Sequence, residues 1–275
     1  MVDIGTLSLI LLIAMFVLLA IGMPLGFASA FLAVVTLVLK FGPDLLFGDF
    51  GRGPLNVLAQ AIYRQMTTDD AFSADATSAG RRALRNAVLT LLMARGEKSD
   101  IALATRHFDR ATNMTDEAHA LFLLAATSGA ARDKALDRFF ERWKHDHLVI
   151  DTWFTAQAVS PLPATVKRVT DLISHPLFSI TTPNKVRALV GNFATLNPVQ
   201  FNRPDGAGYA FVSDQVLAID RFNPQIAARI LGVFRSWRSL EPARKRQARK
   251  ALARVAATPH LSRDVYEIVS RMLDG

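Results

Sequence analysis

The stretch Thr182-Pro183-Asn184-Lys185-Val186-Arg187-Ala188-Leu189-Val190-Gly191-Asn192-Phe193 decides the fold class of most of this chain. It opens with a capping side chain followed by proline, which is a typical start of an α-helix. Its apolar residues then recur at spacings of three and four: Val186, Leu189, Val190 and Phe193. That spacing puts them on one face of a helix, so the stretch is predicted to be an amphipathic helix.

The same pattern continues from Asp75 to the end of the chain. Further helix-start signals are Ser99-Asp100, Thr115-Asp116-Glu117, Ser160-Pro161 and Asn223-Pro224. Alternation of period two, the mark of a strand, is scarce. We therefore predict an all-α fold, an α-helical solenoid or superhelix built from short antiparallel helices of roughly 10 to 18 residues. Gly206-Ala207-Gly208 is predicted to be a loop between two of these helices.

The first part of the chain is of a different kind. From Ile4 to Leu39 there is no Asp, Glu, Lys, Arg or His, and Gly22-Met23-Pro24 divides this stretch into two apolar runs, 4–21 and 25–39. A helix that spans a bilayer needs about 20 apolar residues, with about 17 as the lower end. The sequence therefore predicts two N-terminal transmembrane helices. A cleaved signal peptide ending near Ala28-Ser29-Ala30 is the alternative.

Charge indicates which side of the membrane the remainder would occupy. Lys40, Arg52, Arg64 and a basic remainder all follow the second apolar run. Positive residues favour the cytoplasmic side, so we expect an inner (cytoplasmic) membrane location, a lipid bilayer as partner, and residues 40–275 in the cytoplasm. The chain has no cysteine, which excludes disulfides and thiolate chemistry and agrees with that compartment.

The net charge of +8 lies within residues 67–275, because residues 1–66 hold three basic and three acidic side chains. The densest basic run extends from Arg235 to Arg254. It fits either a solvated helix face or an electrostatic contact with lipid or a protein partner. No aromatic and glycine pattern of an RNA-binding module accompanies it, so no nucleic acid partner is expected.

Four segments of residues 1–66 resemble the start of a TRAP-type dicarboxylate transporter large permease subunit. They are Asp3-Ile4-Gly5-Thr6-Leu7, Gly22-Met23-Pro24-Leu25-Gly26-Phe27-Ala28, Phe50-Gly51-Arg52-Gly53-Pro54-Leu55 and Leu58-Ala59-Gln60-Ala61-Ile62-Tyr63. In that family many more spanning helices would follow, with the substrate and sodium sites. Nothing after Met66 is apolar enough to supply them, so the resemblance implies a fragment without transport activity.

Residues from about Phe72 to Gly275 resemble the C-terminal helical domain of bacterial M1-family alanyl aminopeptidases (aminopeptidase N). The segments that carry the resemblance are Ser78-Ala79-Gly80-Arg81-Arg82-Ala83-Leu84-Arg85-Asn86, Phe140-Glu141-Arg142-Trp143-Lys144-His145-Asp146, Val149-Ile150-Asp151-Thr152-Trp153-Phe154, Pro183 to Gly191, Asn197-Pro198, Asp205-Gly206-Ala207-Gly208-Tyr209, Asn223-Pro224-Gln225-Ile226-Ala227-Ala228-Arg229 and Leu261-Ser262-Arg263-Asp264-Val265-Tyr266-Glu267. In that family the domain is a superhelix that closes over a separate catalytic domain. The resemblance implies that Arg187 and Arg229 line the cavity between the two domains, where a guanidinium can meet the C-terminal side of a peptide.

The chemistry of a zinc aminopeptidase is absent from this sequence. Such an enzyme needs His-Glu-x-x-His and a further ligand, and none of the six histidines stands in that pattern. We therefore expect no catalytic residue, no metal ligand and no cofactor in this chain, zinc being expected only in the missing catalytic domain. His145 and His147 fit either half of a metal site or an ordinary cluster at the end of a helix.

These observations divide the chain into a membrane hairpin at 1–66, a junction at 67–74 and a helical domain at 75–275. The favoured function is a non-catalytic binding or structural module on a membrane anchor. Its expected partners are an aminopeptidase catalytic domain, a peptide, or a second copy of the chain. The alternatives are a truncated TRAP-type permease fragment and a non-natural fusion of two gene ends with no function of its own.

Overall fold

The computed structural model describes residues 13–18, 20–22, 32, 35, 54–67 and 71–274. Every regular element among these residues is helical, which confirms the all-α prediction. The α-helices are α1 (Pro54–Gln65), α2 (Ala76–Met93), α3 (Lys98–Arg110), α4 (Met114–Ala125), α5 (Ala130–Trp143), α6 (Ile150–Ala158), α7 (Thr165–Ile173), α8 (Pro183–Val186), α9 (Asn192–Leu196), α10 (Pro198–Phe201), α11 (Ala207–Asp220), α12 (Pro224–Leu231), α13 (Pro242–Ala256) and α14 (Arg263–Asp274). A π-helix covers Arg187–Gly191 and a 3₁₀ helix covers Gly232–Ser239.

The chain forms two compact units, Met1–Asp100 (unit 1) and Ile101–Gly275 (unit 2). In unit 1, α1 packs along α2. The residues buried between them are mostly large and apolar: Tyr63, Val88, Leu89, Leu92 and Met93. Each such side chain contributes about 1.5–3 kcal/mol by leaving water, and this stabilises a helix pair too short to be stable alone.

In unit 2 the helices pack chiefly against partners that are close in the chain. Helix α4 packs on α5, α11 on α12, and α13 on α14. This succession of short helical pairs is the solenoid-like arrangement expected from the sequence. The largest fully buried side chains form its core: Phe139, Phe154, Phe193, Tyr209 and Phe234.

Two local predictions were wrong. Ser160-Pro161 does not start a helix, since α7 begins at Thr165, and the Ser160 hydroxyl donates instead to the Ala125 carbonyl oxygen at 2.8 Å. Gly206-Ala207-Gly208 is not a loop between helices, because Ala207 and Gly208 already belong to α11. In both places a contact with a neighbouring helix, which sequence alone does not show, determines where the helix begins.

The predicted transmembrane runs 4–21 and 25–39 lie mostly outside the described residues. Within the described part of these runs, residues 13–18 are helical. None of the helices that the structure describes is both long enough and apolar enough to cross a bilayer.

An aromatic cluster in unit 2 surrounds a histidine. The His175 ring lies 5.3 Å from Trp153, 5.5 Å from Phe140 and 5.7 Å from Phe154, measured between ring centroids. Its Nδ1 accepts a hydrogen bond from the Leu177 backbone N–H at 3.2 Å, which requires that nitrogen to be unprotonated. Burial, and then the nearby positive charge of Arg168, lower the pKa of His175 from its usual value of 6.5.

This histidine predicts a pH dependence of stability. Because the pKa is lower in the folded chain, the unfolded chain binds more protons below pH 6.5, so the stabilising effect is complete above 6.5 and is lost as the pH falls. Urea unfolding of the wild type and His175→Gln, measured at several pH values, should show the wild type losing more stability on acidification. Equal losses in the two proteins would contradict the assignment.

Candidate functional site

Unit 2 contains a cavity of about 520 Å³. Its walls come from α9, α10, α11, α12 and the 3₁₀ helix Gly232–Ser239. Apart from α11, which has 14 residues, these elements have only four to eight residues, so the chain turns repeatedly around the cavity. The cavity is therefore formed where the regular succession of longer helices is interrupted.

The floor of the cavity is aromatic. Phe201 and Tyr209 meet edge to face at 5.1 Å, Phe201 and Phe234 at 5.2 Å, and Tyr209 and Phe234 are 5.7 Å apart. The Tyr209 hydroxyl donates to Asn202 Oδ1 at 2.9 Å, and burial raises the pKa of this phenol. Rings in these orientations pack favourably, and because the three side chains are only 1–5% exposed they form a packed apolar layer beneath the cavity with little open surface.

Two glycines at the start of α11 determine its first turn and its approach to α10. Gly206 has φ +76°, a conformation that favours glycine, and precedes the first turn of α11. A Cβ on Gly208 would lie 2.3 Å from the Gln200 carbonyl oxygen and 2.4 Å from that of Phe201. Only glycine permits this approach of two backbones, and the approach places Tyr209 against Phe201.

The 3₁₀ helix forms another wall and is held near its C-terminal end. Trp237 Nε1 donates to the Met272 carbonyl oxygen at 3.1 Å, and Arg238 donates to the carbonyl oxygens of Met272 and Leu273 at 2.7 and 2.8 Å. These bonds satisfy carbonyl groups at the C-terminal end of α14. A 3₁₀ helix longer than three or four residues is uncommon and often marks a functional segment, and this one has eight.

Arg229, one of the two arginines singled out from the sequence, lines this cavity. It lies in the last turn of α12 with its side chain exposed. Arg235 of the 3₁₀ helix also lines the cavity, and its Nε donates to the Gly232 carbonyl oxygen at 3.3 Å. The lining includes no aspartate or glutamate, so the described cavity has two guanidinium groups and no acid of its own.

Arg187 is placed elsewhere. It is the first residue of the π-helix, it is exposed, and its Nη2 donates to Asn184 Oδ1 at 3.1 Å. It is not among the residues that line the cavity. Arg235, which the sequence placed in a basic run, lines the cavity together with Arg229. Arg229 is in α12 and Arg235 is in the 3₁₀ helix that follows it, and this change of helix type was not visible in the sequence.

A second surface feature lies in unit 1, in the groove between α1 and α2. It has a volume of about 130 Å³ and a nearly wholly apolar lining that includes Leu58, Ile62, Val88 and Leu91. Leu58 is 51% exposed and Leu91 is 54% exposed. Apolar side chains exposed side by side on two packed helices form a surface suited to a partner.

The histidines do not assemble a metal site within the described residues. Those residues contain no group of three or more His, Asp or Glu side chains that could hold a metal ion. His145 and His147 are exposed, and the His147 backbone carbonyl accepts a hydrogen bond from Lys185 Nζ at 2.9 Å. The donor set of a zinc aminopeptidase is therefore not met by these side chains.

Comparison with known proteins gives a consistent family assignment. Residues 54–274 match the family described as "Domain of unknown function (DUF3458_C) ARM repeats". Aminopeptidase N of Caulobacter vibrioides is 42% identical over 219 residues, which are 80% of this chain and 25% of that protein. Aminopeptidase N of Escherichia coli K12 is 34% identical over 195 residues, 70% of this chain and 22% of that protein.

A solved structure agrees with these matches. The crystal structure of Legionella pneumophila aminopeptidase A in complex with aspartic acid superposes with a TM-score of 0.70 at 29% identity. The similarity covers 80% of this chain and 27% of that one. The resemblance to the ARM-like C-terminal domain of aminopeptidase N, predicted from the sequence, is confirmed.

The chain spans about a quarter of the length of the curated relatives it matches. The matched quarter is the C-terminal helical domain, so the matched residues do not include the catalytic zinc domain of an aminopeptidase N. The family match begins at residue 54 and includes α1, part of the segment assigned to a permease-like hairpin. The matches leave the permease resemblance of residues 1–66 unsupported.

Proposed function

The chain belongs to the DUF3458_C family of ARM-repeat domains, and from this premise we propose that it is a non-catalytic docking module for an aminopeptidase body. By aminopeptidase body we mean the part of an aminopeptidase N that lies outside its C-terminal helical domain. The single observation that carries the proposal is the apolar groove between α1 and α2. The module would provide a packing surface for its partner, and the partner would provide the zinc chemistry.

The position of the groove supports this partner. The groove lies on the helix pair with which the family match starts, since the match begins at residue 54 and α1 covers Pro54–Gln65. The relatives have about three quarters of their length outside the matched region. The chain of a relative enters the matched region at α1, so this helix pair is the element next to the aminopeptidase body.

The exposed residues of the helix pair support it as well. Among the described side chains of α1 and α2, four large apolar ones are exposed: Val57, Leu58, Leu84 and Leu91. Apolar surface left in water costs about 25 cal/mol per Å², so covering these side chains would stabilise a complex. The polar part of the groove contributes little attraction of its own, because Arg95 at its end is already bonded to Asp100. The groove therefore fits an apolar partner surface.

Titration calorimetry tests the docking. The full chain, purified in mild detergent, is titrated into the Caulobacter vibrioides aminopeptidase body made without its C-terminal quarter. We expect saturable one-to-one binding, and at least about 30-fold weaker binding for Leu91→Glu, because a buried charge replaces a central apolar contact. Leu148→Glu is the matched control, since Leu148 is 74% exposed in unit 2, and its affinity should equal that of the wild type.

Two controls make the result decisive. Intact Caulobacter aminopeptidase N already carries its own C-terminal domain and should not bind the chain. Sedimentation of the chain alone tests self-association. If the chain forms dimers and Leu91→Glu dissociates them, the partner of the groove is a second copy of the chain, and the proposal is overturned. The proposal is also overturned if the aminopeptidase body is folded and does not bind the chain.

A further inference from the structure

We propose that one face of α13 in unit 2 binds the anionic phospholipid headgroups of a bilayer. This basic face consists of four exposed cations: Lys245, Arg246, Arg249 and Lys250. The groove proposed for docking lies in unit 1, whereas the basic face lies in unit 2. The inference therefore does not rest on the docking function.

The four cations of the basic face lie on one side of α13. At 3.6 residues per turn, they and the exposed Ala253 span an arc of about 140° around the helix. The helix packs on α11, on α14 and on the 3₁₀ helix. Its buried residues are Ala248, Ala251, Leu252 and Val255. Helix α13 thus has an apolar side in the core and a side of uniform positive charge in solvent.

No acidic side chain neutralises the basic face in the described part of the chain. Between Pro242 and Ala256 there is no aspartate or glutamate. The ion pairs of α13 are made outside the face, by Arg244 with Glu241 at 3.3 Å and by Arg254 with Asp214 at 2.6 Å. Within the described residues, the four cations of the face have no side chain within ion-pair distance.

The other exposed helix surfaces of unit 2 differ from this face. Lys167 pairs with Asp171 on α7 at 2.7 Å, and Arg271 pairs with Glu267 on α14 at 2.5 Å. In the basic face, by contrast, residues four positions apart have the same charge. Such like-charge pairs destabilise a helix, so the described fold gains nothing from them. An anionic partner would make them favourable.

A phospholipid surface is the partner that fits this face. About four or more Lys and Arg residues on one helix are typical of sites for anionic lipid headgroups. Helix α13 has no aromatic side chain on which a nucleic acid base could stack. Its exposed side has no large apolar residue either, so the helix would lie on the headgroups without entering the bilayer. The uncharged stretch 4–39, predicted to enter a bilayer, would keep the chain near such a surface.

The basic face is held in position by bonds on either side of it along α13. Arg244 Nε donates to the Asn202 carbonyl oxygen at 2.6 Å, and Arg254 Nη2 donates to Ser213 Oγ at 2.5 Å. These bonds join α13 to the end of α10 and to α11. Because the helix is fixed before binding, less conformational entropy is lost when its cations meet the headgroups.

Quenching of a fluorescent label at residue 253 tests the inference. The chain has no cysteine, so Ala253→Cys gives a single labelling site in the middle of the basic face. The full chain, purified in mild detergent, is reconstituted with phosphatidylcholine vesicles that contain a headgroup quencher, with or without about one-third phosphatidylglycerol. We expect strong quenching only with phosphatidylglycerol, and loss of this quenching near 1 M salt, where the screening length is about 3 Å.

A charge variant assigns the contact to the basic face. Each cation near an anionic leaflet strengthens binding by about fivefold, so changing all four to glutamine should lower the ratio of bound to free α13 by at least about 100-fold. The label should then be quenched no more than in pure phosphatidylcholine. Urea unfolding checks the fold of this variant, which should be at least as stable as the wild type because the like charges are gone.

A matched control removes the same amount of charge elsewhere in unit 2. It changes to glutamine four exposed cations on α3, α5 and α7: Arg106, Arg110, Lys134 and Lys167. Quenching of the label at residue 253 should equal that of the wild type. An equal loss in this control would mean general attraction of a basic protein and would overturn the inference.

Three further results would overturn the inference. They are no quenching with phosphatidylglycerol, equal quenching in the two kinds of vesicle, and full quenching in the variant without the basic face. A duplex oligonucleotide that displaces the vesicles at equal phosphate concentration would assign the face to nucleic acid instead. Leu91→Glu, which tests docking in unit 1, should leave the quenching unchanged, so the two proposals fail separately.

Discussion

Replacing Gly208 with alanine destabilises unit 2 by at least about 3 kcal/mol, the upper end of the range for overpacking a well-packed interior. The added Cβ would lie 2.3 Å from the Gln200 carbonyl oxygen, 2.4 Å from the Phe201 carbonyl oxygen and 2.7 Å from Phe201 Cα. All three are backbone atoms of α10, so no side chain can rotate away. Helix α11 must move, and the contacts of Tyr209 with Phe201 are lost.

Urea unfolding followed by tryptophan fluorescence measures this effect, because all three tryptophans lie in unit 2. Gly232→Ala is the matched control, because Gly232 lies in the same unit. A Cβ there would meet only Arg235 Nη2, at 3.8 Å, which is ordinary van der Waals contact, so this variant should be as stable as the wild type. A Gly208→Ala protein as stable as the wild type would contradict the close approach of α10 and α11.

Replacing Arg95 with methionine destabilises unit 1 by about 3–5 kcal/mol, the usual cost of removing one partner of a buried ion pair. Arg95 donates from Nε to Asp100 Oδ2 at 2.8 Å and from Nη2 to Oδ1 at 2.5 Å. The two side chains are 6% and 2% exposed. The hydrogen bonds to Asp100 raise the pKa of Arg95, and the loss of the guanidinium would leave a carboxylate buried without its partner.

Hydrogen exchange of the α2 amides measures the local cost in unit 1. The double variant Arg95→Met with Asp100→Leu is the informative control, because replacing both members of a buried ion pair by apolar residues is often nearly neutral. We therefore expect the double variant to recover most of the protection lost in Arg95→Met. Equal exchange in the wild type and Arg95→Met would mean that the pair does not stabilise this unit.

The regular part of the fold was predictable from local sequence. The spacing of Val186, Leu189 and Val190 predicted buried helical positions, and all three are buried. The Asn223-Pro224 signal predicted a helix start, and the Asn223 side chain accepts a hydrogen bond from the Ile226 N–H at 3.1 Å. Such features depend on residues within one turn of each other, so the sequence contains the necessary information.

The irregular part of the fold was not predictable in this way. The π-helix at Arg187 and the eight-residue 3₁₀ helix that carries Arg235 keep the apolar spacing of an ordinary helix in the sequence. Their hydrogen-bond pattern is determined by distant partners, such as the bonds of Arg238 to Met272 and Leu273. The 3₁₀ helix lines the cavity and the π-helix does not. Arg229 was singled out through the family resemblance, which did not extend to Arg235.

The placement of the chain at an inner membrane and its contact with a lipid bilayer stay predictions. They rest on the two apolar runs, which lie mostly outside the described residues. The assignment of α1 depends on packing instead: its apolar residues alone did not distinguish a membrane hairpin from a helix that packs on α2. Tyr63, buried between the two helices, is the residue that makes the difference.

The most direct test of the docking function is sedimentation equilibrium of the full chain mixed with the Caulobacter vibrioides aminopeptidase body. We predict a one-to-one complex with the body and none with the intact enzyme. Leu91→Glu should disrupt this complex, and Leu148→Glu should leave it intact. If the body and the chain are both folded and sediment as separate species, the docking function is contradicted.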